Sequence, residues 1–278
     1  MTYCCGIMVR DGLVMVADTR TNGGLDNISV FRKLHVFEQP GKQVMALATA
    51  GNLSISQSVV STLVEGLPGK GGELETLENA PTMFQAAQRI TRAIRHVYSV
   101  EANALEAADV GFEVSFLFGG QIKDGPLRLF MVYAAGNFIE CTIDTPYLQI
   151  GEHKYGKPIL DRAVSHTTDL YDALKIGLIS MDSTMRSNLA VGLPIDMVVI
   201  RRNSSSAELK YRVEPDEPYF QDLRQRWGAA LRAAHINIPQ PPYRSDATLT
   251  AEELTVPVER LPLEKLGTTL SAKRGTNR

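Results

Sequence analysis

The chain has no apolar run long enough to cross a bilayer. Its longest such stretches, residues 12–17 and 195–200, fall far short of the roughly 20 residues a spanning helix needs. The first residues also carry no basic segment ahead of an apolar run, so export is not indicated. Cysteine is scarce: Cys4 and Cys5 are adjacent, Cys141 is distant, and no CxxC spacing occurs. That excludes a disulfide framework and fits a reducing, cytoplasmic compartment. His35, His96, His153, His166 and His235 never fall three to five residues apart on one helix face, so no metal is expected. A net charge of -2 gives no field that would gather nucleic acid or an acidic membrane. The glycine-rich segment at 69–72 lacks the order of a phosphate loop, and no cofactor is expected. Specificity must therefore reside in a local site.

What the sequence does contain is an alternation of strand and helix patterns. Strands are expected at residues 2–9, 13–18, 34–38 and 44–49, with a hairpin signalled by Asp11-Gly12. The runs Gly6-Ile7-Met8-Val9 and Leu13-Val14-Met15-Val16-Ala17 are apolar on both faces, as in strands covered on both sides. Asn52 is placed to cap a helix reaching about residue 65. A second helix, at 81–105, would bury Met83, Phe84, Ala87, Ile90, Ile94 and Val97 and turn Arg89, Arg92 and Arg95 to solvent. Strands return at 113–118, 127–134, 138–142 and 147–150, and helices at 156–165 and 169–185. Strands at 196–201 and 208–213 and a helix at 219–234 complete the body. Hairpin-linked strands with paired helices pack most economically as α+β, a four-layer αββα sandwich of two antiparallel sheets flanked by helices. Residues 1–237 are expected to form this domain. Residues 238–278 shift to Pro, Leu and Glu and read as an extension, either a flexible tail or an arm packing Leu261, Leu263 and Leu266 on a neighbouring subunit.

The chemistry suggested by the start of the chain is that of a terminal threonine. A hydroxyl needs a base, and a terminal threonine carries one in its α-amine, whose reference pKa is about 8. Thr2 would be exposed by removal of Met1. Such a site further needs a cation, an anion to hold it, and a backbone donor for the oxyanion. Lys33, Asp18 and Gly51 are the candidates. The hairpin supplies a geometric test. A two-residue turn at Asp11-Gly12 would set Asp18 opposite Cys5, on the face away from Thr2. A three-residue loop with a left-handed Gly12 would set Cys4 opposite Asp18 and put Thr2 and Asp18 on one face.

Taken singly, Thr2 is a common second residue, Asp18 and Arg20 would make an ordinary ion pair, and Lys33 an ordinary strand-end charge. Together, and ahead of Ala50-Gly51 and a helix, they resemble the proteasome β-subunit pattern. The bacterial proteasome-related Anbu family (ancestral β-subunit) is more similar still. The resemblance runs through Met1-Thr2-Tyr3-Cys4, Asp18-Thr19-Arg20-Thr21-Asn22, Asp26-Asn27, Phe31-Arg32-Lys33, His35-Val36-Phe37, Ala50-Gly51-Asn52-Leu53 and Ile150 to Pro158.

It implies the same αββα fold, a threonine-type N-terminal-nucleophile hydrolase and a homo-oligomer built as a ring or helical stack. It assigns Thr2 as nucleophile and base, Lys33 as the tuning cation, Asp18 as its partner and Gly51 N–H as oxyanion donor. Thr21, Asn22 and Leu53 would contact a peptide or amide substrate, and Arg20, Glu152 and Ser187 would support the site. Two departures stand out. Glu152 occupies a position where proteasome β-subunits carry serine. The segment Arg186-Ser187-Asn188-Leu189-Ala190-Val191 replaces an aspartate by Ser187 and a serine by Ala190. The groups that orient the α-amine are thereby altered, which weakens the expectation of efficient proteolysis. An amidase or transpeptidase with a specialised substrate, or a weakly active scaffold, are the alternatives. No ATPase partner is identifiable.

Overall fold

The computed structural model describes residues 1–22, 28–69 and 71–241. In chain order the strands are β1 (Tyr3–Val9), β2 (Gly12–Asp18), β3 (Arg20–Asn22), β4 (Ile28–Val30), β5 (Leu34–Gln39) and β6 (Gln43–Gly51), followed by helix α1 (Leu53–Glu65). A short ribbon of β7 (Leu67–Pro68) and β8 (Leu74–Glu75) leads to α2 (Met83–Ala107). Then come β9 (Val114–Ile122), β10 (Arg128–Tyr133), β11 (Phe138–Glu140), β12 (Tyr147–Gly151), α3 (His153–Ala163) and α4 (Leu170–Ser187). The last elements are β13 (Ile195–Arg201), β14 (Leu209–Val213) and α5 (Pro218–Asn237). The chain separates into two compact units, Met1–Ala229 and Ala230–Arg278. Of the second, only residues up to 241 are described, so Leu261, Leu263 and Leu266 lie outside the described residues.

The expected four-layer sandwich is the observed architecture. One five-stranded sheet runs β12-β1-β2-β13-β14 and the other β11-β10-β9-β6-β5, each of its pairings antiparallel. All seven residues of β2 are buried because both of its faces are covered. Val14 and Val16 pack with Leu170, Leu174 and Leu178 of α4, while Leu13, Met15 and Ala17 pack between the sheets with Ala46 and Ala48 of β6. On the far side, Met45 and Leu47 meet Ile55, Val59, Ile90 and Ile94 of α1 and α2. Three apolar layers thus separate four layers of structure. Asn52 caps α1 as expected, its side chain accepting from Ser54 N–H at 3.0 Å.

Several expectations are corrected. The β1–β2 turn is Arg10-Asp11, with Val9 opposite Gly12 and Cys4 opposite Ala17, which is neither of the registers anticipated. Gly12 has no positive φ. Glycine is needed there for space, because a Cβ would meet Ile200 O at 2.5 Å. Phe84 is exposed, its ring set edge-on against Phe138. Nor do the α2 arginines simply face water. Arg89 bonds Thr76 O and Asn79, Arg92 bonds Pro68 O and Glu75, and Arg95 bonds Gly136 O. Guanidinium forks here satisfy carbonyls of the β7–β8 ribbon and of the turn before β11, a use of charge that periodicity does not reveal.

Candidate active site

Thr2 immediately precedes β1, a strand flanked on both sides in its sheet. It is buried, with 7% of its surface exposed. Its carbonyl accepts from Glu152 N–H at 2.7 Å, the last link between the start of the chain and β12. Gly151 makes that approach feasible. It has φ +78°, and a Cβ there would meet Thr2 O at 2.0 Å, so only glycine fits.

Asp18 ends β2 with 0% of its surface exposed. The observed register, continued by one residue, puts it opposite Tyr3 and on the helix-facing side of the sheet, whereas Thr2 faces the other sheet. Strand parity alone would separate the two residues. The carboxylate escapes parity because it sits at the strand end, where Oδ1 takes the place of a ladder acceptor and receives Tyr3 N–H at 3.1 Å. Lys33, leading into β5 of the second sheet and itself 3% exposed, donates from Nζ to Asp18 Oδ1 at 2.9 Å and to Arg20 O at 2.5 Å. Those bonds use two of the ammonium's three donors among the described residues. Thr49 N–H, donating to Lys33 O at 3.0 Å, fixes the lysine's backbone on β6. Burial raises the Asp18 carboxyl above its ordinary value, while the Lys33 ammonium and the N–H groups of Tyr3 and Gly192 hold the charged form.

Gly51, the last residue of β6, has φ +106°, and a Cβ there would meet Glu113 O at 2.2 Å. It lies on the wall of a cavity of about 390 Å³ together with Thr2, Lys33, Thr21 and Leu53. Phe31, Thr49 and Ser56 also line it. Thr21 Oγ1 is buried there without a hydrogen-bond partner among the described residues. Asn22 ends β3 opposite Ile28. A second cavity of about 650 Å³ opens on the other side of Thr2 and Gly51, bordered by Asp109, Glu113 and Glu152.

The remaining supporting candidates are dispersed. Arg20 donates to Leu189 O at 3.0 Å instead of pairing with Asp18. Ser187 ends α4 exposed. The next residue, Asn188, does reach the site, donating from Nδ2 to Glu152 Oε2 at 3.0 Å. Sequence reasoning passed over it, though it lies within the segment that departs from the proteasome pattern. Beneath Thr2, Gln149 donates to the Tyr3 hydroxyl at 2.5 Å, which lies 2.6 Å from Ser180 Oγ, which donates to Gly156 O at 3.1 Å. This closed buried chain holds the first strand against α3 and α4. The thiols take no comparable part: burial pushes Cys5 up to about 12 and Cys4 well above its ordinary value.

A four-layer sandwich whose first strand is preceded by a threonine on a cavity shared with a strand-end glycine and a lysine paired to a buried aspartate has the proteasome-like N-terminal-nucleophile fold. Comparison with solved structures narrows the class. Anbu (ancestral beta-subunit) from Yersinia bercovieri is 44% identical, covers 86% of this chain and 98% of its own, and superposes with a TM-score of 0.79. Anbu from Hyphomicrobium sp. strain MC1 is 44% identical over 86% and 98% of the two chains, with a TM-score of 0.78. The helical assembly of the Anbu complex from Pseudomonas aeruginosa is 43% identical over 87% and 98%, with a TM-score of 0.80. No protein-family model matches the chain, and no curated protein does. On the structural relatives, the chain belongs to the Anbu family.

Proposed function

We propose that the protein is a threonine-type N-terminal-nucleophile hydrolase that cleaves peptide or other amide bonds after removal of Met1. The observation that carries this reading is the Lys33–Asp18 pair, buried at 2.9 Å beside the cavity that also holds Thr2 and Gly51. Keeping an ammonium and a carboxylate out of water costs several kcal/mol per ion and is retained where the charges serve a purpose. Here the ammonium, with one donor unspent, lowers the pKa of the Thr2 hydroxyl. The Thr2 amine takes the hydroxyl proton, Oγ1 attacks the carbonyl carbon, and Gly51 N–H holds the oxyanion. The amine then gives its proton to the leaving nitrogen, and water releases the ester. Thr21, Asn22 and Leu53 contact the acyl side of an extended substrate, with Thr21 Oγ1 supplying an unspent donor and acceptor.

The assembly is proposed to be a homo-oligomer, ring or helical stack, in the cytoplasm, with residues 238–278 as an arm on a neighbouring copy. A relative that forms a helical assembly supports this. The test is turnover of a mixed pool of peptide amides by the protein with Met1 removed and by Thr2→Ala. Release of amines by the former and not the latter is expected. Equal turnover by both overturns the reading. No turnover by either would leave an assembly without hydrolytic function.

A further inference from the structure

We propose that, once Met1 is gone, the Glu152 carboxylate, held in place by the side-chain amide of Asn188, becomes the counter-ion of the new Thr2 ammonium and governs when that amine can act as base. The proposal rests on Thr2 being the terminal nucleophile.

Glu152 is tied to Thr2 through the backbone. Its N–H donates to Thr2 O at 2.7 Å, and Gly151 is pressed so close to Thr2 that it admits no Cβ. The side chain is fixed as well. Asn188 Oδ1 accepts from Ala190 N–H at 2.9 Å, which settles the orientation of the amide. Its NH2 must then point the other way, where it lies 3.0 Å from Glu152 Oε2 and 3.4 Å from Met1 Sδ. Methionine and carboxylate therefore share one NH2 group. Removing the methionine empties the place beside that group and puts a positive charge at Thr2, in the cavity that Glu152 borders.

The surrounding charges favour the pairing. Asp109 and Glu113, from the segment between α2 and β9, border the same cavity, so an ammonium formed there faces three carboxylates. On the opposite side the charges of Lys33 and Asp18 offset each other across 2.9 Å. Lys154 Nζ stands 3.6 Å from Glu152 Oε2, but its side chain is 64% exposed and screened by water. Of these three residues, Glu152 alone bonds the Thr2 main chain, through its own backbone N–H. Asn188 acts as the positioning residue of the Glu152 carboxylate. The consequence is a pH gate. A carboxylate favours the charged amine, whereas a base must be neutral, so Glu152 delays activity to higher pH.

The test uses protein whose Met1 has been removed with methionine aminopeptidase and follows the pH dependence of Thr2 α-amine acetylation by N-hydroxysuccinimidyl acetate, read from the mass of the N-terminal peptide. Glu152→Gln is expected to lower the inflection by about one pH unit, Glu152→Asp to restore most of it, and Asn188→Ala to move it the same way by less. Coincident inflections in wild type and Glu152→Gln overturn the proposal. If Glu152→Gln fails to fold, Asn188→Ala decides: a lowered inflection supports the counter-ion and an unchanged one overturns it. Acetylation of the amine requires no catalysis. Failure of the nucleophile reading, seen as turnover that survives Thr2→Ala, is therefore distinguishable from failure of the counter-ion.

Discussion

Lys33 Nζ stands 2.9 Å from Asp18 Oδ1 and, in that one contact, ties the start of β5 in one sheet to the end of β2 in the other. The pair serves the sandwich and the site at once. Lys33→Ala should abolish adduct formation at Thr2 and destabilise the fold by about 3–5 kcal/mol at neutral pH, because it strands a buried carboxylate. The loss should shrink in acid, where Asp18 can take up a proton instead. Urea unfolding at pH 7 and pH 5 measures both, and an equal loss at the two pH values would contradict the account.

The raised Asp18 carboxyl has its own signature. The folded protein holds this proton more tightly than the unfolded chain does, so Asp18's contribution is fully present below the ordinary carboxylate value of about 3.9. It is lost as pH rises through the raised folded value. The stability difference between wild type and Asp18→Asn should therefore drift against wild type across that window. A difference that is flat with pH, or drifts the other way, would show that Lys33 outweighs burial.

Gly51→Ala and Gly151→Ala should each destabilise by more than about 1 kcal/mol, since both positions combine positive φ with a carbonyl where a Cβ would lie. Their functional effects should differ in origin. The first reshapes the wall expected to bind the oxyanion, and the second pushes Thr2 off its seat. Thermal unfolding and the rate of Thr2 modification check this. A Gly151→Ala protein with wild-type stability would contradict the close approach.

Cys4, Cys5 and Cys141 should resist alkylation in the folded protein at pH 8. All three are buried, and burial pushes Cys5 and Cys141 up to about 12. Iodoacetamide followed by mass analysis should find no native adduct and three after denaturation. Rapid native labelling of Cys4 or Cys5 would contradict this and point to a thiol nucleophile near the chain start.

Much of this was legible in the sequence because it depended on patterns that burial enforces. Strands apolar on both faces announced a doubly covered sheet, and Asn52 announced its helix. Asp18, Lys33 and Gly51 could be named from their order ahead of that helix. Their geometry could not. The sequence leaves two hairpin closures open, and only the three-residue loop puts Thr2 and Asp18 on one face. The observed turn at Arg10-Asp11 gives the opposite parity, and Asp18 reaches the site only because a strand-end carboxylate can replace a ladder acceptor for Tyr3. Asn188 was invisible for a related reason, since its role depends on the loop after α4 returning to Glu152. The ribbons β3–β4 and β7–β8 are too short for periodicity to register, and the Asp26-Asn27 motif lies outside the described residues.

The central claim is that Thr2 supplies hydroxyl and amine together, beside Lys33 and Gly51. An epoxyketone reacts with both groups of a terminal threonine, so intact-mass analysis after treatment reads the claim directly. A single adduct located on Thr2, absent in Thr2→Ala and absent while Met1 is retained, is the expected result. An unmodified protein that nonetheless carries a free Thr2 terminus would contradict it.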